Sequence, residues 1–207
     1  MVLEKLMEKM EKLRSKKETK LINFKRITNR RREIIELEKT NRENLEELNC
    51  IDHFFEAGGI KRYGEVASFC NANGFKRVID IGCAYGFQSE IFLQEGIQYV
   101  GVTNHVSPFW NADKYEYIVD HYPCNLPIKH GDLAVSILCL TWNCYLYEGD
   151  KTLIEQCEAL KRDFEHCILN AKPQILERYF KKIVKIGEDL YYFSNKEEPL
   201  VLEELPN

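Results

Sequence analysis

The hydrophobic positions of this 207-residue chain change their period once. Up to about residue 48 the period is helical. Leu3, Leu6, Met10 and Leu13 follow a 3-4-3 spacing, and Phe24, Ile27, Ile34, Leu45 and Leu48 continue in a similar phase. Arg31, Glu38 and Asn41 interrupt the stripe, and the segment holds neither Gly nor Pro. This predicts one or two long helices with a broken heptad, either a weak coiled coil or a helical hairpin. Ala57-Gly58-Gly59 breaks the pattern. A short helix is expected from about Tyr63 to Asn71, stopping at Asn73-Gly74.

Beyond Gly74, short apolar runs alternate with amphipathic ones. Arg77 to Ile81 reads as a buried strand running into a glycine turn, followed by a helix from Phe87 to Gln94 with Gly96 as its stop. Further strands are expected at Gln98 to Val102, Tyr115 to Val119, Leu133 to Leu140 and His166 to Leu169. A helix from Thr152 to Phe164 separates the last two, and a less regular link with a short helix joins the second and third. This rhythm predicts a parallel sheet with helices on both faces. Lys181 to Ile186 and Leu190 to Phe193, around Gly187-Glu188-Asp189, predict an antiparallel hairpin at the sheet edge. The expected division is a helical arm over 1–56 and an α/β domain over 57–207.

Charge divides the chain in the same way. Residues 1–48 carry fourteen Lys/Arg against ten Asp/Glu, whereas residues 49–207 carry fifteen against twenty-three. Between Lys12 and Arg32, ten basic residues stand against Glu18 alone. Such a cluster attracts phosphate without sequence preference, and a solvated helix face has the same appearance. The arm therefore has two readings. One is a helix packing on its own domain. The other is an arm that forms a homodimer or binds nucleic acid, with Arg30, Arg31 and Arg32 as its contacts.

Eight cysteines raise the question of metal or disulfides, and their spacing answers it. No C-x-x-C occurs, and His121-x-x-Cys124 and His166-Cys167 lack a second ligand pair. No metal is expected. The longest apolar run, Leu133 to Leu140, is too short to span a bilayer, and the N-terminus alternates Leu/Met with Glu/Lys. The expectation is a cytoplasmic protein with no membrane partner.

The chemistry concentrates in Val78-Ile79-Asp80-Ile81-Gly82-Cys83-Ala84-Tyr85-Gly86-Phe87. A strand carrying an acid and ending in Gly-x-x-x-Gly lets the backbone turn sharply and approach a ligand at a helix start. The stretch resembles motif I of the class I S-adenosylmethionine-dependent methyltransferases, an acid followed by Gly-x-Gly-x-Gly, with Ala84 in place of the middle glycine. Tyr99-Val100-Gly101-Val102 resembles that family's second strand. Asn125-Leu126-Pro127 and Asp132-Leu133-Ala134-Val135-Ser136 resemble the segment leading into its fourth.

The resemblance covers about residues 74–195. It implies a Rossmann-like, doubly wound, mostly parallel sheet with an antiparallel C-terminal strand, here preceded by the N-terminal helical arm. It implies S-adenosylmethionine as cofactor, held by Asp80, Gly82, Cys83, Ala84 and Gly86. Thr103 and Asn104 stand where the family places a ribose-binding acid at the end of the second strand. Asp120 or His121 would meet the adenine. A carboxylate would give a charge-assisted pair of hydrogen bonds to the ribose that Thr103 cannot supply.

The acceptor site is expected after the fourth strand, at Thr141, Trp142 and Tyr145, a stretch rich in aromatic and hydrogen-bonding groups. It carries neither the Asn-Pro-Pro-Tyr nor the Pro-Cys signature of DNA base methylation. The expected activity is methyl transfer to a small molecule or RNA. The alternative is a methyltransferase-like binding module whose cofactor site has decayed, with the basic arm as its functional part.

Overall fold

Arg77–Ile81 is buried along its whole length, as an inner strand of a parallel sheet is. The computed structural model describes residues 59–104, 106, 112–140, 150–170 and 176–196. Nearly all of these belong to the second of the chain's two compact units, Lys61–Asn207; the first, Met1–Ile60, contributes only Gly59 and Ile60. Arg30, Arg31 and Arg32 of the expected arm lie outside the described residues, as do Thr141, Trp142 and Tyr145. The link expected to hold a short helix between the second and third strands lies largely outside them too.

In chain order the described elements are α1 (Gly59–Asn73), β1 (Arg77–Ile81), α2 (Ser89–Gln94), β2 (Gln98–Thr103) and β3 (Glu116–Val119). They continue with β4 (Leu133–Ser136), α3 (Asp150–Asp163), β5 (His166–Leu169), β6 (Lys182–Lys185) and β7 (Tyr191–Ser194). The strands form one sheet in the order β3-β2-β1-β4-β5-β7-β6. The first five run parallel, β7 runs antiparallel to β5 and β6, and β6 is the outermost strand on its side. This is the doubly wound, mostly parallel sheet with an antiparallel C-terminal strand that the sequence predicts.

Alternation along the strands sorts the core into two layers. Ile79, Ile81, Val100, Val102, Ala134, Cys167, Leu169 and Phe193 cluster with Cys157, Ala159 and Leu160 of α3. The opposite phase meets α1 and α2. Phe92 stacks on Tyr99, Tyr63 meets Phe92 edge-on, and Phe69 of α1 lies against Tyr192.

Several expected boundaries move by a residue or two, and three differ by more or for a local reason. α1 already includes Gly59, four residues ahead of the expected Tyr63. α2 begins at Ser89, not Phe87, because the residues before it are taken up by i→i+3 turns from Gly86 and Phe87. β4 spans only half of the expected 133–140. Ser136 donates its hydroxyl to the Ile81 carbonyl at 2.8 Å and accepts the Leu140 N–H, while Leu138 takes φ +57. Ile137 and Leu140 stay buried after the strand has ended, so their hydrophobicity reports burial and not extension.

The amino edge of the sheet is held by one buried guanidinium. Arg77, the first residue of β1, donates to the Asp132 carboxylate ahead of β4, to the Pro127 carbonyl at 2.9 Å and to Glu116 of β3 at 3.1 Å. Asp132 also accepts the Lys129 N–H at 2.7 Å. Arg77 and Asp132 are both buried, whereas the Glu116 side chain is 63% exposed and adds little. Asp132→Ala should therefore destabilise the domain by about 3–5 kcal/mol, since it strands a buried cation. The double variant Arg77→Met/Asp132→Leu should recover most of that loss in urea unfolding. A double variant no more stable than Asp132→Ala would contradict this account.

Candidate functional site at the carboxyl edge of the sheet

Past Ile81 the chain turns out of β1 through a loop tied down at three places. Gly82, at φ +82, and Cys83 both donate their N–H groups to the Val102 carbonyl, at 2.8 and 3.0 Å. The Gly86 N–H closes a turn on the Cys83 carbonyl at 2.9 Å, and the Tyr117 hydroxyl donates to the Ala84 carbonyl at 3.0 Å. Within this turn Ala84 adopts φ +48. That left-handed conformation costs an alanine about 1–2 kcal/mol. Ala84 is also the exposed residue of the turn, with Cys83 and Tyr85 buried on either side. The strained backbone is the part of the loop that faces outward.

Asp80 lies beneath this loop with no exposed surface. Its Oδ1 accepts the Tyr63 hydroxyl at 3.0 Å, and its Oδ2 accepts the Tyr99 hydroxyl and the Gln88 amide, both at 2.6 Å. The same Gln88 nitrogen donates to the Cys83 carbonyl at 2.9 Å, linking the carboxylate to the turn. Burial pushes the Asp80 carboxyl up to about 6, and its three donors hold it back from rising further. Burial, then the charge of Asp80, pushes the Tyr63 and Tyr99 hydroxyls and the Cys83 thiol well above their ordinary ranges. These groups stay neutral around the carboxylate. The expected ligand-facing acid is thus an internal anchor whose hydrogen bonds come from its own chain.

The remaining candidates gather at neighbouring strand ends. Val102 pairs with Ile81, so Thr103, the last residue of β2, stands level with Gly82. Thr103 is buried and Asn104 beyond it is exposed. Asp120 follows β3; its N–H donates to the Thr103 carbonyl at 2.8 Å and its Oδ1 accepts the His121 N–H at 2.7 Å. Asp120 and His121 are both exposed. The Ala84 turn, Thr103 with Asn104, and Asp120 with His121 therefore end three adjacent parallel strands on one edge. In open α/β sheets this is the edge where ligands bind.

The two glycines of the turn are closely packed by side chains. A Cβ on Gly82 would fall 1.9 Å from the Cys139 sulfur, and one on Gly86 would fall 2.7 Å from the Tyr115 hydroxyl. The space beside each is filled by the protein's own side chains. Their absence of a side chain serves the turn and its packing, and Ala84 is the exposed residue between them. Tyr63, Gln88 and Tyr99 were not singled out by the sequence as site residues. The signal was there: an acid inside an otherwise apolar strand requires buried donors, and Tyr99 lies on the adjoining strand in phase with it. No group of three or more His, Cys, Asp or Glu among the described residues is placed to hold a metal, and no helix among them is long and apolar enough to cross a membrane.

No protein-family model and no curated protein matches the sequence. Solved structures match in fold. Human N-acetylserotonin methyltransferase in complex with SAM is 12% identical and gives a TM-score of 0.55, over 76% of this chain and 58% of that one. Magnesium protoporphyrin IX methyltransferase from Synechocystis PCC 6803 with bound SAM is 14% identical and gives 0.50, over 67% of this chain and 79% of that one. WbdD, a bifunctional kinase-methyltransferase, is 19% identical and gives 0.49, with this chain spanning 40% of its length. The fold is that of the class I methyltransferases.

The Asp80 environment makes a stability prediction. The folded state raises this carboxyl from its ordinary 3.8 to about 6, so it binds the proton more tightly than the unfolded chain does. The stability contributed by this group is full below pH 3.8 and is lost as pH rises through 6, a change of about 3 kcal/mol. Unfolding free energies of wild type and Asp80→Asn should therefore diverge by about that amount, against the wild type, between about pH 4 and pH 7.5. A constant difference across that window would show that Asp80 does not titrate there.

Proposed function

We propose that the chain is an S-adenosylmethionine-dependent methyltransferase acting on a small molecule or RNA. The observation that carries this reading is the meeting, at the carboxyl edge of a methyltransferase fold, of the exposed Ala84 turn with Thr103, Asn104 and Asp120. The residues present fit this cofactor at the ends of β1 and β3 and more weakly at the end of β2. Backbone of the Ala84 turn would meet its amino-acid end. Thr103 and Asn104 offer neutral hydrogen-bonding groups to the ribose hydroxyls, where a carboxylate would bind more strongly. Asp120, or His121 beside it, would accept from the adenine amino group. When bound, the cofactor supplies a methyl group activated on a sulfonium.

For the chain itself, most of the rate would come from holding the acceptor in line with that methyl group. A base is required only where the attacking atom must lose a proton. Thr141, Trp142 and Tyr145, proposed to line the acceptor pocket, supply hydrogen-bonding and aromatic groups suited to positioning. Arg30, Arg31 and Arg32 would draw an RNA acceptor to the arm by phosphate attraction.

Calorimetric titration with S-adenosylmethionine and S-adenosylhomocysteine tests the reading directly. Wild type should bind both, and Thr103→Asp should bind about tenfold more tightly by restoring a charge-assisted pair to the ribose. No binding by either protein at millimolar ligand would favour the decayed module instead. For the acceptor, a salt-sensitive RNA mobility shift should disappear when Arg30, Arg31 and Arg32 become Ala. Absence of any shift at low salt would leave the small molecule as acceptor.

A further inference from the structure

The Ala84 turn poses a physical question that the proposed function does not answer. An alanine held at φ +48 must be kept there by its surroundings. The Gly86 N–H and the Gln88 side-chain amide both bond to the Cys83 carbonyl, the acceptor that closes the turn. Gln88 donates from one nitrogen to that carbonyl and to Asp80 Oδ2, so its orientation depends on the carboxylate. The chain of dependence therefore runs from Asp80 through Gln88 to Cys83 and on to Ala84.

We propose that Asp80 and Gln88 are positioning residues for the ligand-approach turn, and that the turn is held most firmly in its strained shape while Asp80 is ionised. An ionised carboxylate accepts all three of its donors, and bonds to it are about twice as strong as those to a neutral acceptor. A protonated carboxyl must itself donate from one oxygen, and its remaining bonds are neutral. The bond to Gln88 then weakens, the Cys83 carbonyl keeps only the Gly86 N–H, and the hold on Ala84 falls to that bond and to the Tyr117 hydroxyl on its carbonyl.

The titratable groups around Asp80 are the Tyr63 hydroxyl from α1, the Tyr99 hydroxyl from β2 and the Cys83 thiol from the loop. Burial holds all three neutral, and Gln88 has no charge to change. Asp80 is then the one among these groups that titrates in the acid range, with burial placing it at about 6. Two effects of its protonation run in opposite directions. The domain as a whole gains stability as the buried charge disappears, whereas the turn loses its clamp.

The inference rests on the carboxyl edge being the cofactor site, and the test separates the two. Hydrogen exchange of the peptide spanning residues 80–90, corrected for the intrinsic rate, is followed by mass spectrometry between pH 5 and pH 7.5. S-Adenosylhomocysteine affinity is measured by calorimetry over the same range. In wild type, loop protection should fall several-fold toward pH 5 while β4 and β5 keep theirs. Affinity should fall about tenfold at pH 5, where about one molecule in ten keeps Asp80 ionised.

Gln88→Met should show low protection at every pH. Ala84→Gly, which holds a positive φ without strain, should keep its turn and flatten both profiles. Loop protection that is independent of pH in wild type, or lost equally across the sheet, overturns the proposal. So does a Gln88→Met profile that matches wild type. If loop protection follows the expected pattern and S-adenosylhomocysteine binds none of these proteins at pH 7.5, the positioning role stands and the methyl-transfer reading falls. If the ligand binds with the same affinity at all pH values, the positioning role falls and the reading of the site stands.

Discussion

A fully buried carboxylate is the constraint around which the carboxyl edge of this sheet is built. An unpaired charge there would be expelled or neutralised, so every residue that reaches Asp80 has been recruited as a donor. Tyr63 comes from the helix before β1, Tyr99 from the neighbouring strand, and Gln88 from the turn ahead of α2. Three separate segments are thereby fixed to one atom group at the sheet's centre. The same tyrosine rings pack on Phe92, so polar and apolar ordering at this point come from the same side chains. The loop above inherits its geometry from that arrangement.

Most of the fold could be read from the hydrophobic period, and the exceptions are instructive. His166–Leu169 occurs where an apolar run is bounded by polar residues on both sides, and the hairpin at Gly187 follows from its turn residues. The second half of Leu133 to Leu140 failed as a strand because period alone cannot distinguish an extended buried segment from a bent one. What bends it is Ser136, whose hydroxyl turns back to Ile81. That bond joins residues 55 apart in sequence and leaves no local trace.

At the site, residue identity was legible and residue role was not. Motif spacing found Asp80, Gly82, Ala84 and Gly86, yet it could not say that Cys139 and Tyr115 cover the two glycines. Nor could it say that Asp80 would be claimed by the protein itself. Such facts depend on side chains brought in from the segment after β4, from α1 and β2 and from the approach to β3, at separations that no local motif samples. The end of β2 is the reverse case. Thr103 was identified as a departure from the sequence alone, and the register with β1 puts it level with Gly82.

The hairpin that completes the sheet has a consequence for the solution behaviour of the protein. Among the described residues β6 is paired on one side only, by β7, and its Ile183-Val184 centre is partly buried. A strand of that kind is a template on which another chain can add by backbone pairing. Here it is four residues long and begins and ends in lysine, Lys182 and Lys185. A second copy docking in antiparallel register would bring ammonium groups together before the apolar centre could zip, and a strand so short offers few bonds to offset that repulsion. Among the described residues, shortness and terminal lysines are thus the features of the outer strand that oppose edge-to-edge addition, at the margin of the sheet opposite β3.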